Sequence, residues 1–236
     1  MEPRQPRARI DFRDLPLFEG LDDDELRRIG ETLRRRTFPR GARLFVVEPP
    51  GDLVYVVLEG VLKIAVDAAP RRDVVVALKG RGDVLGELSG VEMIELLGRP
   101  ATAVTLTRAT LVWTRRAIFE RFLETMPRLT RNFVEVLSRR VRAANEQVAA
   151  LATLNVDGRV ARELLHLADA YGEPNGEGAV VIPIQLTQQD VAGLVGASRE
   201  RVNKVLGTYR RAGWIGVDGA SHVTVRDAGS LARQFR

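Results

Sequence analysis

Apolar and polar positions change their period along the chain, and each change marks a different kind of element. Over residues 15–36, "LPLFEGLDDDELRRIGETLRRR", Leu26, Ile29 and Leu33 recur at helical spacing. Leu21 precedes an acidic turn (Asp22, Asp23, Asp24, Glu25), and arginines follow at the far end. That charge order suits the helix dipole and predicts a helix over this stretch. From 37 to about 113 the texture becomes short β-branched runs, among them "ARLFVVE", "LVYVVLEG", "DVVVALKG", "GDVLGEL" and "ATLVWT". Turn residues such as "PPGD" and "KGRGD" separate them, which predicts an all-β sandwich or barrel.

The helical period then returns. A short helix is expected over 116–126, ending near Pro127, and a long one over 128–154. Phe133, Leu137, Arg140, Ala144, Val148 and Leu151 follow a near-heptad spacing on the long helix. Such a seam between two domains is expected to be a dimer contact; the alternative is a stripe covered by the barrel of its own subunit. Asn155 can cap a further helix over 156–170, with Val160, Leu164, Leu165 and Leu167 inward. "YGEPNGEG" reads as a loop.

The strongest pattern is "LTQQDVAGLVGASRERVNKVLGTYRRAGWI", 186–215. Thr187 with Asp190 three residues on makes a capping box that starts a helix through Val195. Gly196 interrupts it, and Ser198 caps a second helix to about Arg211. Ala192 is small where two helices cross, Gly196 takes the tight turn and Val202 packs back. These are the slots of a helix-turn-helix. "GWIGVDGASHVTV" adds strand, Asp218-Gly219 turn and strand, which reads as a wing.

Charge sharpens this reading. Over 198–211, Arg199, Arg201, Lys204, Arg210 and Arg211 stand against a single Glu200. Arg199, Glu200, Asn203 and Lys204 lie in the half of the second helix that enters the major groove, outside the buried stripe. Arg can read guanine through two hydrogen bonds, and Glu can accept from cytosine N4–H2. A carboxylate facing DNA repels phosphate, so Glu200 makes sense as a base reader. A solvated amphipathic helix with a Glu200–Lys204 pair is the alternative.

Composition narrows the classes. The 236 residues carry a net charge of +5, with 45% hydrophobic and 28% charged positions. The sequence has no Cys and only His166 and His222, which leaves no disulfide framework, catalytic thiol or iron–sulfur cluster and argues against zinc. No apolar run reaches the ~18–20 residues of a membrane span. The N-terminus lacks the apolar stretch of a secretory signal, so a cytoplasmic protein is expected. No nucleophile–base pair, phosphate-cradling Gly loop or metal triad points to an enzyme.

The order of parts, with "LPLFEGLDDDEL", "VVLEGVLKI", "GDVLGEL", "LNVDGRVARELLHLA" and "LTQQDVAGLVGASRERVNKVL", resembles the cAMP receptor protein and fumarate–nitrate regulator (CRP/FNR) superfamily, over about 15–230. The second helix is most similar to the cAMP receptor branch, with its S-R-E-x-V-x-R/K pattern. The resemblance implies an α+β chain: a β-roll (jelly roll) of the cyclic-nucleotide-binding type over 1–126, a long dimerisation helix over 127–154 and a winged helix-turn-helix over 155–236. It implies a transcription regulator, with double-stranded DNA, a second copy of the chain and RNA polymerase as partners. Arg199, Glu200 and Lys204 would read a TGTGA-type half-site in an inverted repeat, and Thr187, Gln189, Ser198 and Arg201 would contact phosphates. The alternative is a nucleotide-sensing regulatory subunit acting on a partner protein, which has no use for a carboxylate on a basic helix.

The resemblance also implies an effector site for cAMP or another cyclic nucleotide. Its phosphate cassette, roughly G-E-L followed by R-S-A, falls on Gly86, Glu87, Leu88 and on Arg99, Pro100, Ala101. Arg would pair with the cyclic phosphate, and Glu87 would accept from the ribose hydroxyl. Arg140 is placed with this pocket, and the adenine-contacting pair falls on Ala144 and Asn145. This chain departs from the pattern in its longer "SGVEMIELLG" segment, in Ala144, and above all in Pro100, which supplies neither hydroxyl nor backbone N–H. Weakened cAMP binding, another ligand or ligand-independent DNA binding is therefore expected, with Arg99 then paired to Glu87, Glu92 or Glu95.

Overall fold

A computed structural model describes residues 12–44, 53–67, 73–86, 101–176, 178–219 and 221–235. The first helix, α1 (Asp23–Thr32), starts at a reciprocal capping box. The Asp22 carboxylate accepts from the Glu25 amide at 2.8 Å, and Glu25 accepts from the Asp22 amide at 3.0 Å. It is shorter at both ends than the expected 15–36. Ahead of it Leu15, Leu17 and Phe18 are buried within turns. Behind it, Arg34–Phe38 forms β1, because its backbone finds a pairing partner in β7 (Ala109–Arg115). The arginines at 34–36 therefore belong to a strand and not to the end of α1.

The β-roll comprises β1, β2 (Leu53–Glu59), β3 (Leu62–Asp67), β4 (Asp73–Lys79), β5 (Val84–Leu85), β6 (Ala101–Thr105) and β7. They form antiparallel sheets in the orders β1-β7-β2-β5 and β4-β3-β6. Strand β2 shows why its sequence is an unbroken apolar run. Val54, Val56 and Leu58 join the cluster under the helices, while Tyr55 and Val57 join the one between the sheets. Both faces of the strand are covered, so period-two alternation disappears.

Helix α2 (Arg116–Thr125) leads to α3 (Pro127–Thr153), which Pro127 opens at a first-turn position where its missing N–H costs nothing. The first half of α3 belongs to the core of the β-roll. Phe133 stacks edge-on against Phe119, with centroids 5.4 Å apart. Buried Asn132 donates to the carbonyls of Leu17 at 3.0 Å and Glu19 at 2.8 Å. Arg140 donates to the Val84 carbonyl. Phe133 and Arg140 thus face their own barrel and leave the expected seam, because the ring and the guanidinium find partners there. The outward stripe runs instead through Val134, Val141, Val148 and Leu151, 44–64% exposed, with Leu137 and Ala144 between them.

After the cap at Asn155, whose side chain accepts from the Gly158 amide at 2.8 Å, come α4 (Val156–Tyr171), β8 (Glu173–Pro174) and β9 (Val180–Ile182). Then follow α5 (Gln188–Val195), α6 (Arg199–Arg211), β10 (Ile215–Val217), β11 (Val223–Val225) and α7 (Ala228–Ala232). The wing is half of a four-stranded sheet, β10-β11-β9-β8. Its connection is longer than the expected Asp218-Gly219 turn and reaches His222. The Asp218 carboxylate accepts from the His222 amide at 2.8 Å and meets its ring Nδ1 at 2.9 Å, and this side-chain closure supports the longer loop. Val160, Leu164 and Leu167 of α4 pack with Val191, Ala192 and Val195 of α5 and with Val202, Val205 and Tyr209 of α6.

Candidate nucleic-acid interface

Helix α6 is positioned by both of its ends and by one buried face. The Ser198 hydroxyl accepts from the Arg201 amide at 3.2 Å, a cap that contributes about 1 kcal/mol. The turn before it is held by Gly196 in the left-handed region, at φ +60°, which closes α5 and re-aims the chain. Val202, Val205 and Tyr209, at most 2% exposed, bury one stripe of α6. The helical period then turns Glu200, Asn203 and Lys204 away from that stripe and puts Arg199 on its flank. All four are exposed, as the base-reading expectation requires.

The expected phosphate contacts divide. Ser198 is exposed, and its hydroxyl proton is not used by the cap it makes. The Thr187 hydroxyl donates to Asp190 at 2.7 Å and accepts from its amide at 3.0 Å, so it is engaged in starting α5. Gln189 is half-buried on the first turn of α5. Arg201 is held by the Asp157 carboxylate of α4. Asn203 accepts from Gln188 at 3.0 Å, which ties its amide orientation to the start of α5.

Two residues of this site carry no signal in the sequence. Asp157 holds Arg201 with its side chain, and its carbonyl accepts the Tyr209 hydroxyl at 2.7 Å. Burial raises the Tyr209 phenol above its ordinary range, with Asp157 adding to the effect, so it stays a neutral donor. One residue at the start of α4 thereby braces the recognition helix twice. Arg159 is the second. Its guanidinium donates to Leu151 and Leu154, at the end of α3, and to Gly196 after α5, at 3.3–3.4 Å. A cation there satisfies carbonyls that the helix ends leave unpaired.

Of the effector cassette, Glu87, Leu88, Arg99 and Pro100 lie outside the described residues, as do Glu92 and Glu95. Gly86 follows β5, and its carbonyl accepts from Arg116; Ala101 opens β6. Ala144 and Asn145 are exposed on α3, one turn beyond half-buried Arg140. Among the described residues no group of three or more His, Cys, Asp or Glu side chains is placed to hold a metal, and no helix is long and apolar enough to cross a membrane.

A β-roll, a long helix and a winged helix-turn-helix with a basic outward face define a sensor-linked transcription regulator. Known proteins agree with that class. A profile described as a Crp-like helix-turn-helix domain matches residues 158–234, and one described as a cyclic nucleotide-binding domain matches residues 35–126. The chain is 35% identical over 220 residues to the CRP-like cAMP-activated global transcriptional regulator of Mycobacterium tuberculosis, covering 93% of this chain and 96% of that protein. The structure of FixK2 from Bradyrhizobium japonicum superposes with a TM-score of 0.70 at 18% identity, covering 86% of this chain and 98% of that one. A CRP-family transcriptional regulator of Thermus thermophilus superposes with a TM-score of 0.68 at 25% identity, over 85% and 96%. The chain belongs to the CRP/FNR family of transcription regulators, and its helix-turn-helix makes it a DNA-binding protein.

Proposed function

We propose that this regulator binds a TGTGA-like inverted repeat as a homodimer, reading bases with Arg199, Glu200, Asn203 and Lys204. The observation that carries the reading is the outward placement of Glu200 among basic residues on a capped helix. A carboxylate there weakens phosphate binding and is suited to a base edge that donates. Ser198 and Gln189 serve as phosphate contacts, Thr187 contributes through the helix start it caps, and Arg201 divides its cation between Asp157 and the DNA backbone.

The apolar stripe of α3 supports the dimer. Val134, Val141 and Val148 stand seven residues apart, with Leu137, Ala144 and Leu151 three residues after each. Val at one seam position, and Leu at two of the three places of the other, favours two parallel strands. The dimer places recognition helices about one DNA turn apart, ~34 Å, and presents the complex to RNA polymerase in the cytoplasm. The cyclic nucleotide-binding domain and the cAMP-activated relative make cAMP the candidate effector. Arg99 and Glu87 would hold its phosphate and ribose, with Arg140 and Asn145 nearby. Pro100 withholds a hydroxyl and an N–H that a phosphate would accept from, so the grip is weak, and DNA binding depends little on it.

A gel shift on a TGTGA-N6-TCACA duplex, with and without millimolar cAMP, tests this. A shift is expected without nucleotide, with little tightening when it is added. Glu200→Ala should cost about 1–3 kcal/mol on the matched site and relax preference at one base pair. No shift at low salt, or a uniform loss over all sequences, defeats the base-reading role; a shift that needs sub-micromolar cAMP defeats the weak-grip reading.

A further inference from the structure

The helix-turn-helix does not hang from α3 alone; it rests on the sensor sheet of its own subunit. A Cβ on Gly193, midway along α5, would lie 2.7 Å from the Val75 nitrogen and 3.2 Å from its oxygen, so helix backbone lies directly on the edge of β4. Beside this contact Lys63 of β3 reaches Asp190 at 2.5 Å, with side chains 20% and 5% exposed. The other oxygen of Asp190 accepts from the amide and hydroxyl of Thr187, at 3.0 and 2.7 Å. One carboxylate therefore starts α5 and ties that start to the sensor. Apolar contacts continue the seat, since buried Val61 and Leu106 of the sensor join the cluster of α4, α5 and α6. On its other side α5 is held by α3, where Gln147 donates to the Leu194 carbonyl at 2.6 Å. Throughout this arrangement Arg199, Glu200, Asn203 and Lys204 remain exposed.

We propose that this seat sets the orientation of the recognition helix, with Gly193 and Lys63 as positioning residues for DNA binding. The inference rests on the homodimeric DNA-binding reading above. Helices α5 and α6 share one packed core and move together, so any shift of α5 on β4 reaches α6. Base-edge hydrogen bonds hold only within normal bonding distance, and two half-sites must be met at once. A seated domain meets one spacing between half-sites. An unseated one spreads over many orientations, loses affinity for the matched spacing and tolerates others. Lys63 lies opposite Val104 of β6, the strand that Ala101 of the cassette opens, so the seat and that residue share one sheet.

Gly193→Ala separates seating from folding. Alanine raises helix propensity in α5, while its methyl meets the β4 backbone, which has no flexible atom to yield. Lys63→Met keeps the aliphatic stem and removes the charge. The chain has no cysteine, so Arg121→Cys and Arg210→Cys accept spin labels on exposed sites of the sensor and of α6. Labelled protein is mixed with excess unlabelled protein, so that the distance read is within one subunit. The parent should give one narrow distance, and Gly193→Ala and Lys63→Met a broadened or shifted one. In gel shifts over spacers of four to eight base pairs, the parent's preference for its best spacer should fall at least threefold in both variants. A distance distribution that the variants leave unchanged overturns the seat. A changed distribution with unchanged spacer preference overturns its role in DNA recognition. Absence of any shift by the parent defeats the DNA-binding reading instead, and the distance measurement, which needs no DNA, tells the two failures apart.

Discussion

Glu163 is a carboxylate whose environment opposes its ordinary charge. It lies in a crevice with Gln147, Arg159 and Arg162, between α3, α4 and α5. Burial pushes its carboxyl up from the usual carboxylate range, and the nearby His166 and Arg162 offset this only in part. A carboxyl raised in the folded state favours the neutral form there. The stability it contributes is complete below the usual carboxylate pKa and is lost as pH rises through the raised value. Glu163→Gln cannot ionise and avoids that loss. Its melting temperature should exceed the parent's by a few degrees near pH 7, with the gap closing toward about pH 4, as read by thermal melts across pH. A gap independent of pH contradicts the assignment. Residues of this kind were illegible in the sequence, because the environment of Glu163 comes from three helices. Caps were legible for the opposite reason. Thr187 with Asp190, Ser198 and Asn155 each find their partner three residues away, within the stretch that proposes them.

At the scale of elements, α3 shows where periodicity succeeds and where it stops. The 27 residues of Pro127–Thr153 are helical almost as the pattern predicts, yet the exposed seam is displaced by one position in its first half. Phe133 and Val134 are both apolar, so spacing alone could not decide between them; the Phe119 ring decided it. Arg140 likewise turned inward to a carbonyl in β5. The same limit explains α1, whose charge order was legible while the pull of β7 on residues 34–38 was not. The stripe that remains makes a direct expectation. Val141, 60% exposed at the middle of the seam, loses little packing within its own subunit when replaced. Val141→Glu should leave the helical content unchanged and place like charges face to face in the dimer. Light scattering should then report a monomer where the parent is a dimer, and affinity for the inverted repeat should fall toward that of a single half-site. A dimeric Val141→Glu would move the contact elsewhere on the molecule.

Across the whole molecule, the sensor and the DNA-binding half share core as well as chain. Leu78 and Tyr171 extend the mixed cluster, and a Cβ on Gly80 would stand 2.7 Å from the Tyr171 ring. Burial, with Asp83 and Glu163, pushes the Tyr171 phenol up to about 12, so it stays neutral and adds no charge to the contact. Two domains joined only by a helix unfold independently. Two that share buried side chains, an ion pair at 2.5 Å and a backbone-to-backbone contact lose those interactions together and are coupled in unfolding. Scanning calorimetry should therefore give a single transition for the parent. Gly193→Ala leaves each half with its own core and weakens the contact between them. Its endotherm should separate into two transitions, the earlier one tracking loss of the α5–α6 core, reported by fluorescence of Trp214 beside Tyr209 with Trp113 of β7 replaced as Trp113→Phe. If the variant melts as one unit at the parent's temperature, the halves are not joined through Gly193, and their coupling rests on the Lys63–Asp190 pair and the shared side chains.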